Sequence, residues 1–240
     1  MKYRFEGDDK PPPRWRRLTE AAWLVPRALN SLSPARTLGP EDGPPALVIP
    51  GFIANDRTTL ALRRGLAAAG WRVYGWEMGW NRGVRHDTVK RLKRRLDELE
   101  DDRPVLVVGW SLGGLFAREL GREAPDRVRA VVTLGSPFSG DPRQNNVWRL
   151  YEWVAGHKVD EPPIPRITDK PPVPHLAIWS RKDGIVAPRS ARGLEHERDK
   201  AIEMDCTHMA FGVSARAARA VVREIEAFLE EQKLVPESRD

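Results

Sequence analysis

Apolar runs and amphipathic stretches alternate along most of the chain. A short apolar run bounded by turn residues is typical of a strand buried on both faces of a parallel sheet. Such runs predict strands over residues 46–49, 71–76, 105–108, 128–134, 175–180 and 201–206. Apolar residues that recur every three or four positions predict helices over 58–69, 87–100 and 214–231, and a further helix after residue 111.

The order of these elements indicates the fold class. Strands that alternate with helices form strand–helix–strand units, and such crossovers connect parallel strands. The pattern therefore predicts an α/β protein with a mostly parallel, doubly wound sheet of about six strands. A length of 240 residues fits one such domain, and no internal repeat is visible.

Residues 1–45 form an N-terminal extension that precedes the alternating pattern. Consecutive prolines from Pro11 predict an extended segment, and a basic helix that bears Trp15 and Leu18 is predicted to begin near Arg14. We expect this helix to pack against the domain or to guard the entrance of the site. Weak contact of the helix with a membrane surface stays open as the alternative.

Residues 138–173 form an insertion between two predicted strands. With about 35 residues it is longer than an ordinary connection, and it contains a predicted helix over 145–155 and a proline-rich stretch. The insertion is typical of a lid, in which Trp148, Tyr151 and Trp153 offer apolar surface for a substrate. The alternative is a surface excursion that does not touch the substrate.

Composition and charge limit the expected cellular location of the protein and the classes of partner that it binds. A content of 40% hydrophobic and 31% charged residues is typical of a soluble globular protein, and no run of about 18 apolar residues predicts a membrane span. The N-terminus lacks the apolar core of a secretory signal, so we expect a cytoplasmic location. The net charge of +6 comes from arginines scattered among acids, which does not favour nucleic acid as a partner.

No cofactor is indicated. The single cysteine, Cys206, excludes a disulfide within the chain and a multi-cysteine metal site. Histidines and carboxylates do not occur at the spacing of a metal site such as H-E-x-x-H. The sequence therefore implies no metal and no organic cofactor, and it leaves the oligomeric state open.

Ser111 stands in the strongest chemical motif. The predicted strand 105–108 runs directly into Gly109-Trp110-Ser111-Leu112-Gly113, and the helix pattern follows at once. Glycines on both sides permit a sharp strand-to-helix turn that leaves the serine hydroxyl exposed at a helix N-terminus. This arrangement predicts Ser111 as a nucleophile. The alternative is an ordinary surface serine in a glycine-rich turn.

A base and an acid for this serine are predicted at two later strand ends, which meet the serine at one edge of an open parallel sheet. A serine hydroxyl needs a base to take its proton, and an imidazole held by a carboxylate does this at neutral pH. His208 directly follows the last predicted strand and is the best of the five histidines. Asp183 follows the preceding strand in an Asp-Gly turn, and we prefer it as the acid to Asp160, Asp169, Asp199 and Asp205.

An oxyanion hole is predicted from two backbone N–H groups, which would hold the negative charge that develops on the substrate oxygen. Leu112, directly after the nucleophile, is expected to supply one of them. The loop after the first strand is expected to supply the other, from Phe52.

Five motifs within residues 46–228 carry a family resemblance. They are Ile49-Pro50-Gly51-Phe52, Gly109-Trp110-Ser111-Leu112-Gly113-Gly114, Thr133-Leu134-Gly135-Ser136-Pro137, Ser180-Arg181-Lys182-Asp183-Gly184-Ile185-Val186 and Thr207-His208. Together they resemble the α/β-hydrolases, in particular small bacterial lipases and esterases, which implies that fold and a Ser-Asp-His triad. Pro50 is a departure, since many relatives have a histidine before the oxyanion-loop glycine.

The sequence thus predicts a serine hydrolase that cleaves small-molecule carboxylic esters through an acyl-enzyme intermediate. Thioesterase, acyltransferase or amidase activity on the same triad stays open. A non-catalytic lipid- or protein-binding member of the fold also stays open, because a fold alone does not fix a function.

Overall fold

A parallel sheet organises the part of the chain that the computed structural model describes, residues 11–13, 15–21, 37–141, 152, 155–156, 158, 163 and 167–234. Its six strands are β1 (Pro45–Ile49), β2 (Arg72–Gly75), β3 (Val105–Trp110), β4 (Val128–Leu134), β5 (His175–Trp179) and β6 (Lys200–Glu203). They lie in the order β2-β1-β3-β4-β5-β6, and every neighbouring pair is parallel. The chain order reverses at β1, which creates the switch point where ligands gather in such sheets.

Helices cover both faces of this sheet. They are α1 (Arg16–Ala21), α2 (Leu60–Ala68), α3 (Thr88–Asp97), α4 (Leu112–Glu123), α5 (Pro188–Arg192), α6 (His208–Val213) and α7 (Ala215–Leu234), with 3-10 turns at Pro125–Arg127 and Glu195–Glu197. α2 packs against α6 and α7 on one face, and α3 packs against α4 on the other. The predicted α/β fold class is confirmed.

Successive residues of the central strands enter two separate apolar clusters. Ala46 and Val48 of β1 pack on the face covered by α2 and α7, whereas Leu47 and Ile49 pack on the face covered by α3 and α4. Side chains of a strand alternate between the two faces, so a strand buried on both faces needs an unbroken apolar run. These runs therefore predicted the strands, although they carry no amphipathic period.

The last strand and the helix after it differ from the expectation. β6 ends at Glu203, so Cys206 lies half-buried in the following loop rather than in a strand. Burial raises the pKa of the Cys206 thiol to about 12, so this thiol stays neutral. α6 begins at His208 itself and was not predicted, because its six residues are too few for a periodic signal.

Two predictions are not tested by the structure. Trp148, Tyr151 and Trp153 do not belong to the described residues, so the lid stays a prediction. The single domain over residues 1–240 stays a prediction as well. In the described ranges, no helix is both long and apolar enough to cross a membrane.

Candidate active site

Ser111 occupies the turn between β3 and α4. Its backbone has φ of 55° and ψ of −122°, a conformation that a residue with a side chain rarely adopts. The Ser111 N–H donates to the carbonyl oxygen of Leu134 at 2.8 Å, which ties the turn to the end of β4. A Cβ at Gly109 would lie 2.3 Å from the carbonyl oxygen of Gly113, so the turn closes only with glycine there. Strain of this kind persists only where the surrounding structure holds it, and it is concentrated at functional positions.

His208 and Asp183 form a buried pair at the carboxyl ends of β6 and β5. His208 Nδ1 lies 2.7 Å from Asp183 Oδ2, and the two residues are 3% and 1% exposed. The other carboxylate oxygen, Oδ1, accepts the N–H groups of Ile185 at 2.7 Å and Val186 at 2.8 Å. Asp183 can only accept, so the neutral imidazole donates from Nδ1 and keeps its lone pair on Nε2. That nitrogen is the one able to take a proton.

The charge around His208 favours the protonated imidazole. Burial lowers the pKa of His208, but the carboxylates of Asp183 and Glu20 outweigh it, so this pKa is raised above its ordinary value. An imidazole with a raised pKa holds a proton more firmly once it has taken one. This property suits a general base whose charged form must be stabilised.

Trp110 and Gly135 connect the Ser111 turn to the Asp183–His208 pair. The indole Nε1 of Trp110 donates to the carbonyl oxygen of His208 at 3.1 Å. Gly135 follows the residue that accepts the Ser111 N–H, and its φ is 55°. A Cβ at Gly135 would lie 3.0 Å from Asp183 Oδ2 and 3.1 Å from His208 Nδ1, so this position requires glycine. The structure therefore brings the three predicted residues to one edge of the sheet, and their catalytic roles stay a prediction.

The loop after β1 lies beside Ser111. A Cβ at Gly51 would be 3.1 Å from the Cβ of Ser111. Phe52 follows Gly51, and its partly buried ring packs against the apolar cluster that contains Leu112. Leu112 is the first residue of α4, where backbone N–H groups have no acceptor inside the helix. Both residues predicted for the oxyanion hole thus flank the serine.

Asn81 holds this loop in place, and the sequence analysis missed it. The Asn81 side chain is fully buried, and its Nδ2 donates to the carbonyl oxygen of Pro50 at 2.8 Å. The Asn81 backbone N–H donates to Ala54, and its carbonyl oxygen accepts from Ile53, both at 2.8 Å. The loop therefore tolerates proline at position 50, because Pro50 contributes a carbonyl oxygen and needs no side-chain hydrogen bond.

A pocket of about 270 Å³ lies beside the segment that carries Asn81. It is lined by Trp76, Met78, Trp80, Arg82, Gly83, Arg85, Thr88, Arg91 and Phe116. The lining includes three arginines and no carboxylate. Trp76 and Phe116 of the lining belong to the cluster that also contains Leu112. Trp80 and Arg82 of the lining flank Asn81, which binds the predicted oxyanion loop.

His175 is buried in β5, and its contacts fit a structural role. Arg118 Nη1 donates to His175 Nδ1 at 2.9 Å, and Thr133 Oγ1 lies 3.1 Å from its Nε2. Burial and the adjacent charge of Arg118 hold the pKa of His175 well below its ordinary value. His175 is therefore a neutral residue that joins α4 to β5.

The other described histidines and acids considered as alternatives do not reach the site. His86 and His196 are exposed, and Asp169 is exposed as well. Asp205 is exposed and pairs with Lys182 at 2.6 Å, while Asp199 pairs with Lys170 at 2.7 Å. His157 and Asp160 lie outside the described residues. No cluster of three or more His, Cys, Asp or Glu side chains in the described ranges is suited to hold a metal ion.

A glutamate from the N-terminal extension also reaches this edge. Glu20 of α1 is 6% exposed and accepts backbone N–H groups from Gly184 and His208. The apolar residues Trp15 and Leu18, which mark this helix in the sequence, are 62% and 76% exposed. The helix packs against the site through a polar side chain, which no apolar period could indicate.

Comparison with known proteins agrees with this architecture. A model of the α/β hydrolase fold family matches residues 68–161. The described part of the chain has the α/β-hydrolase fold. Two solved esterases from Bacillus subtilis have a similar structure. A carboxylesterase superposes with a TM-score of 0.59 at 15% identity over 89% of this chain and 98% of its own. The naproxen esterase superposes with a TM-score of 0.55 at 16% identity over 89% of this chain and 97% of its own.

A curated relative of this α/β-hydrolase-fold protein matches only a segment. The homoserine O-acetyltransferase of Geobacter metallireducens is 31% identical over 68 residues, which are 28% of this chain. The match spans 18% of the acetyltransferase, well under two thirds of its length. The likeness to the two esterases is a likeness of fold.

Proposed function

We propose that this protein is a serine hydrolase that cleaves carboxylic esters through an acyl-enzyme intermediate. The observation that supports it is the buried pair in which His208 Nδ1 lies 2.7 Å from Asp183 Oδ2, next to the strained turn at Ser111. A nucleophile, an imidazole and a carboxylate that orients the imidazole are the parts that activate a serine. The fold, which known esterases share, supports the broader class of hydrolase.

The proposed reaction has two halves. Ser111 Oγ attacks the ester carbonyl carbon while His208 Nε2 takes the hydroxyl proton, and the imidazolium then gives this proton to the departing alcohol. Water attacks the acyl-serine in the second half, again with His208 as base, and releases the acid and the free serine. The N–H groups of Phe52 and Leu112 hold the oxyanion in both tetrahedral intermediates.

Substrate selection is proposed to depend on the pocket and the insertion. The pocket presents guanidinium groups beside apolar rings, which suits an ester that carries a negative group. The insertion over 138–173 begins after β4, whose end lies at the edge that carries Ser111. Its residues Trp148, Tyr151 and Trp153 are proposed to contact the acyl chain or a large alcohol.

Ser111→Ala tests this function. Loss of the hydroxyl should lower the turnover of p-nitrophenyl butyrate by about a thousand-fold or more while the circular dichroism spectrum stays unchanged. A fluorophosphonate probe should label the wild-type protein and not the variant. Ser214→Ala, which changes a serine outside the proposed triad, should be labelled normally. A well-folded Ser111→Ala protein with near-normal turnover contradicts the assignment.

Acyl transfer is the second candidate, because the matched segment resembles an acetyltransferase. A transferase should pass the acyl group to an added alcohol or amine, whereas a hydrolase should release free acid in its presence. Thioesters and anilides of the same acyl group distinguish thioesterase and amidase activity from ester hydrolysis. A binding protein without catalysis should show no turnover and no labelling.

A further inference from the structure

One carboxylate bridges the two loops that carry the proposed acid and base. Glu20 Oε1 accepts the backbone N–H of Gly184 at 2.9 Å and that of His208 at 2.9 Å. Glu20 Oε2 accepts the N–H of Met209 at 2.8 Å. Gly184 directly follows Asp183, so the three hydrogen bonds join the backbone beside the acid to the backbone of the base. They come from a residue 164 positions before Gly184 and 188 before His208.

The helix that carries Glu20 fits closely against these loops. A Cβ at Gly184 would lie 2.7 Å from the carbonyl oxygen of Arg16 and 3.0 Å from Glu20 Oε1. The Arg16 guanidinium also donates to the carbonyl oxygen of Arg181. Leu18, in the middle of α1, is 76% exposed. Among the described side chains of this region, polar contacts therefore join α1 to the site, while Leu18 stays in solvent.

The charge of Glu20 acts on the imidazole as well. His208 is faced by Asp183 from the loop after β5 and by Glu20 from α1, and both carboxylates raise its pKa against the effect of burial. The Cys206 thiol, whose pKa is raised to about 12, contributes no charge. Two other neighbours of the imidazole, Trp110 on β3 and Gly135 after β4, carry no charge. Glu20 is therefore one of two negative charges at the base.

We propose that Glu20 is a positioning residue for the hydrolysis proposed above, on which this inference rests. Its carboxylate fixes the backbone of His208 relative to the Asp183 turn, so that the imidazole stays within hydrogen-bond reach of Asp183. Glu20 does not contact the reacting atoms in this role. Without it, three N–H groups lose their acceptor, two of them buried and one partly buried, and the two loops can separate.

Glu20→Gln tests the role in the whole 240-residue chain. An amide offers one acceptor oxygen, and its NH₂ group meets donors where the carboxylate accepted them. We expect kcat on p-nitrophenyl butyrate to fall by about ten- to a hundred-fold with little change in KM, because the base is misplaced while the substrate site is intact. The acid limb of the pH–rate profile should move to lower pH, because one of the two charges that raise the pKa of His208 is gone.

Glu203→Gln is the matched control. Glu203 lies at the end of β6, pairs with Arg181 at 3.0 Å and is exposed. This variant should keep kcat within about two-fold, since an exposed ion pair contributes little. A folded Glu20→Gln protein with unchanged kcat and an unchanged pH limb overturns the proposal, because a purely structural role would lower only the melting temperature.

A measurement independent of turnover separates this inference from the proposed function. In the Ser111→Ala background, NMR titration of the His208 imidazole should give a lower pKa when Glu20→Gln is added. An unchanged pKa overturns the inference even if the protein proves to be an esterase. A lowered pKa supports it even if Ser111 proves not to be the nucleophile. If Glu20→Gln does not fold, Glu20→Asp is measured in its place. A lower kcat at unchanged KM supports the role, and a normal kcat overturns it.

Discussion

Asp183 divides its two carboxylate oxygens between different partners. Oδ1 accepts two N–H groups from its own turn, and Oδ2 faces the imidazole of His208. The turn therefore fixes the carboxylate, and the carboxylate fixes the imidazole. The orientation of the proposed base begins with local backbone geometry in one loop.

Asp183→Asn should lower kcat/KM at neutral pH by about 10⁴-fold, because the amide no longer selects the productive tautomer of His208. The activity that remains should rise with pH through a lower apparent pKa than in the wild type. The charge of Asp183 raises the pKa of His208, and the base acts only when neutral, so removal of the charge makes the neutral form available at lower pH. Initial rates measured across pH report both effects.

Asp205→Asn is the control for that prediction. Asp205 is exposed and pairs with Lys182, so its loss should change the rate by no more than about two-fold. If Asp205→Asn abolished activity and Asp183→Asn did not, the acid would be Asp205.

Residues that follow a recognisable strand were predictable from the sequence. Ser111, Asp183 and His208 each stand just after an apolar run, and parallel strands bring their ends together. Asn81 and Glu20 were not predictable, because they bind backbone groups 31 and 188 residues away. A backbone N–H or carbonyl group is the same at every position, so such partners leave no pattern in the sequence.

The three pocket arginines come from the loop between β2 and α3 and from the first turns of α3. Farther along α3, arginines have counter-charges: Arg94 pairs with Glu98 at 3.3 Å, and Arg95 pairs with Glu77 at 2.9 Å. The ion pairs found among the described residues involve none of the pocket arginines, Arg82, Arg85 and Arg91. Positive charge without a counter-charge attracts anions to this element.

Arg85→Ala and Arg91→Ala should each lower kcat/KM for p-nitrophenyl hemisuccinate about five-fold relative to p-nitrophenyl butyrate. This ratio corresponds to about 1 kcal/mol, the upper range for a solvent-exposed ion pair. The ratio of the two rate constants is the measurement, and added salt should reduce the preference of the wild-type protein.

Arg64→Ala, which removes an exposed arginine of α2 on the opposite face of the sheet, should leave that ratio unchanged. Equal losses on the charged and the neutral ester would show that the pocket does not select for charge.

Long elements were easier to predict than short ones. The predicted helix over 214–231 matches α7 (Ala215–Leu234), because twenty residues give a clear apolar stripe. α5 and α6 have five and six residues, which is less than two turns, and both were missed. A helix near Arg14 was predicted and α1 (Arg16–Ala21) lies there, but its contact through the Glu20 carboxylate was not predicted, because hydrophobic periodicity reports only apolar contacts.

The whole molecule depends on two apolar layers, one on each face of the sheet. α7 closes the first layer with Ala218, Val221, Ile225 and Phe228, which are at most 1% exposed. Phe228→Ala should lower the free energy of unfolding by about 3–5 kcal/mol, because it removes a buried ring and leaves a cavity. Urea titration followed by circular dichroism measures the change.

Glu226→Ala, an exposed position on the same helix, should cost less than about 0.5 kcal/mol. The specific activity of folded Phe228→Ala protein should stay near that of the wild type, because Phe228 lies in the core outside the proposed triad. A stability loss as small as that of Glu226→Ala would mean that the layer repacks around the missing ring.

The sequence predicted the parallel sheet but not the lateral order of its strands. Strands that alternate with helices must be parallel to one another. The position of β2 at the edge of the sheet, next to β1, depends instead on the direction in which the chain turns after its first strand. That choice is made by packing between helices distant in sequence, such as α2 against α7. The apolar runs of the individual strands contain no information about it.

The three hydrogen bonds of Glu20 determine when the site can form during synthesis of the chain. Synthesis proceeds from the N-terminus, so α1 leaves the ribosome long before its partners in the last loops exist. The glutamate meets its acceptor sites only after His208, 188 residues later, has been translated and β6 has joined the sheet. Until then a nascent chain carries the serine turn without an assembled base. The proposed esterase activity should therefore appear only after His208 has been translated, and nascent chains that end before it should be inert.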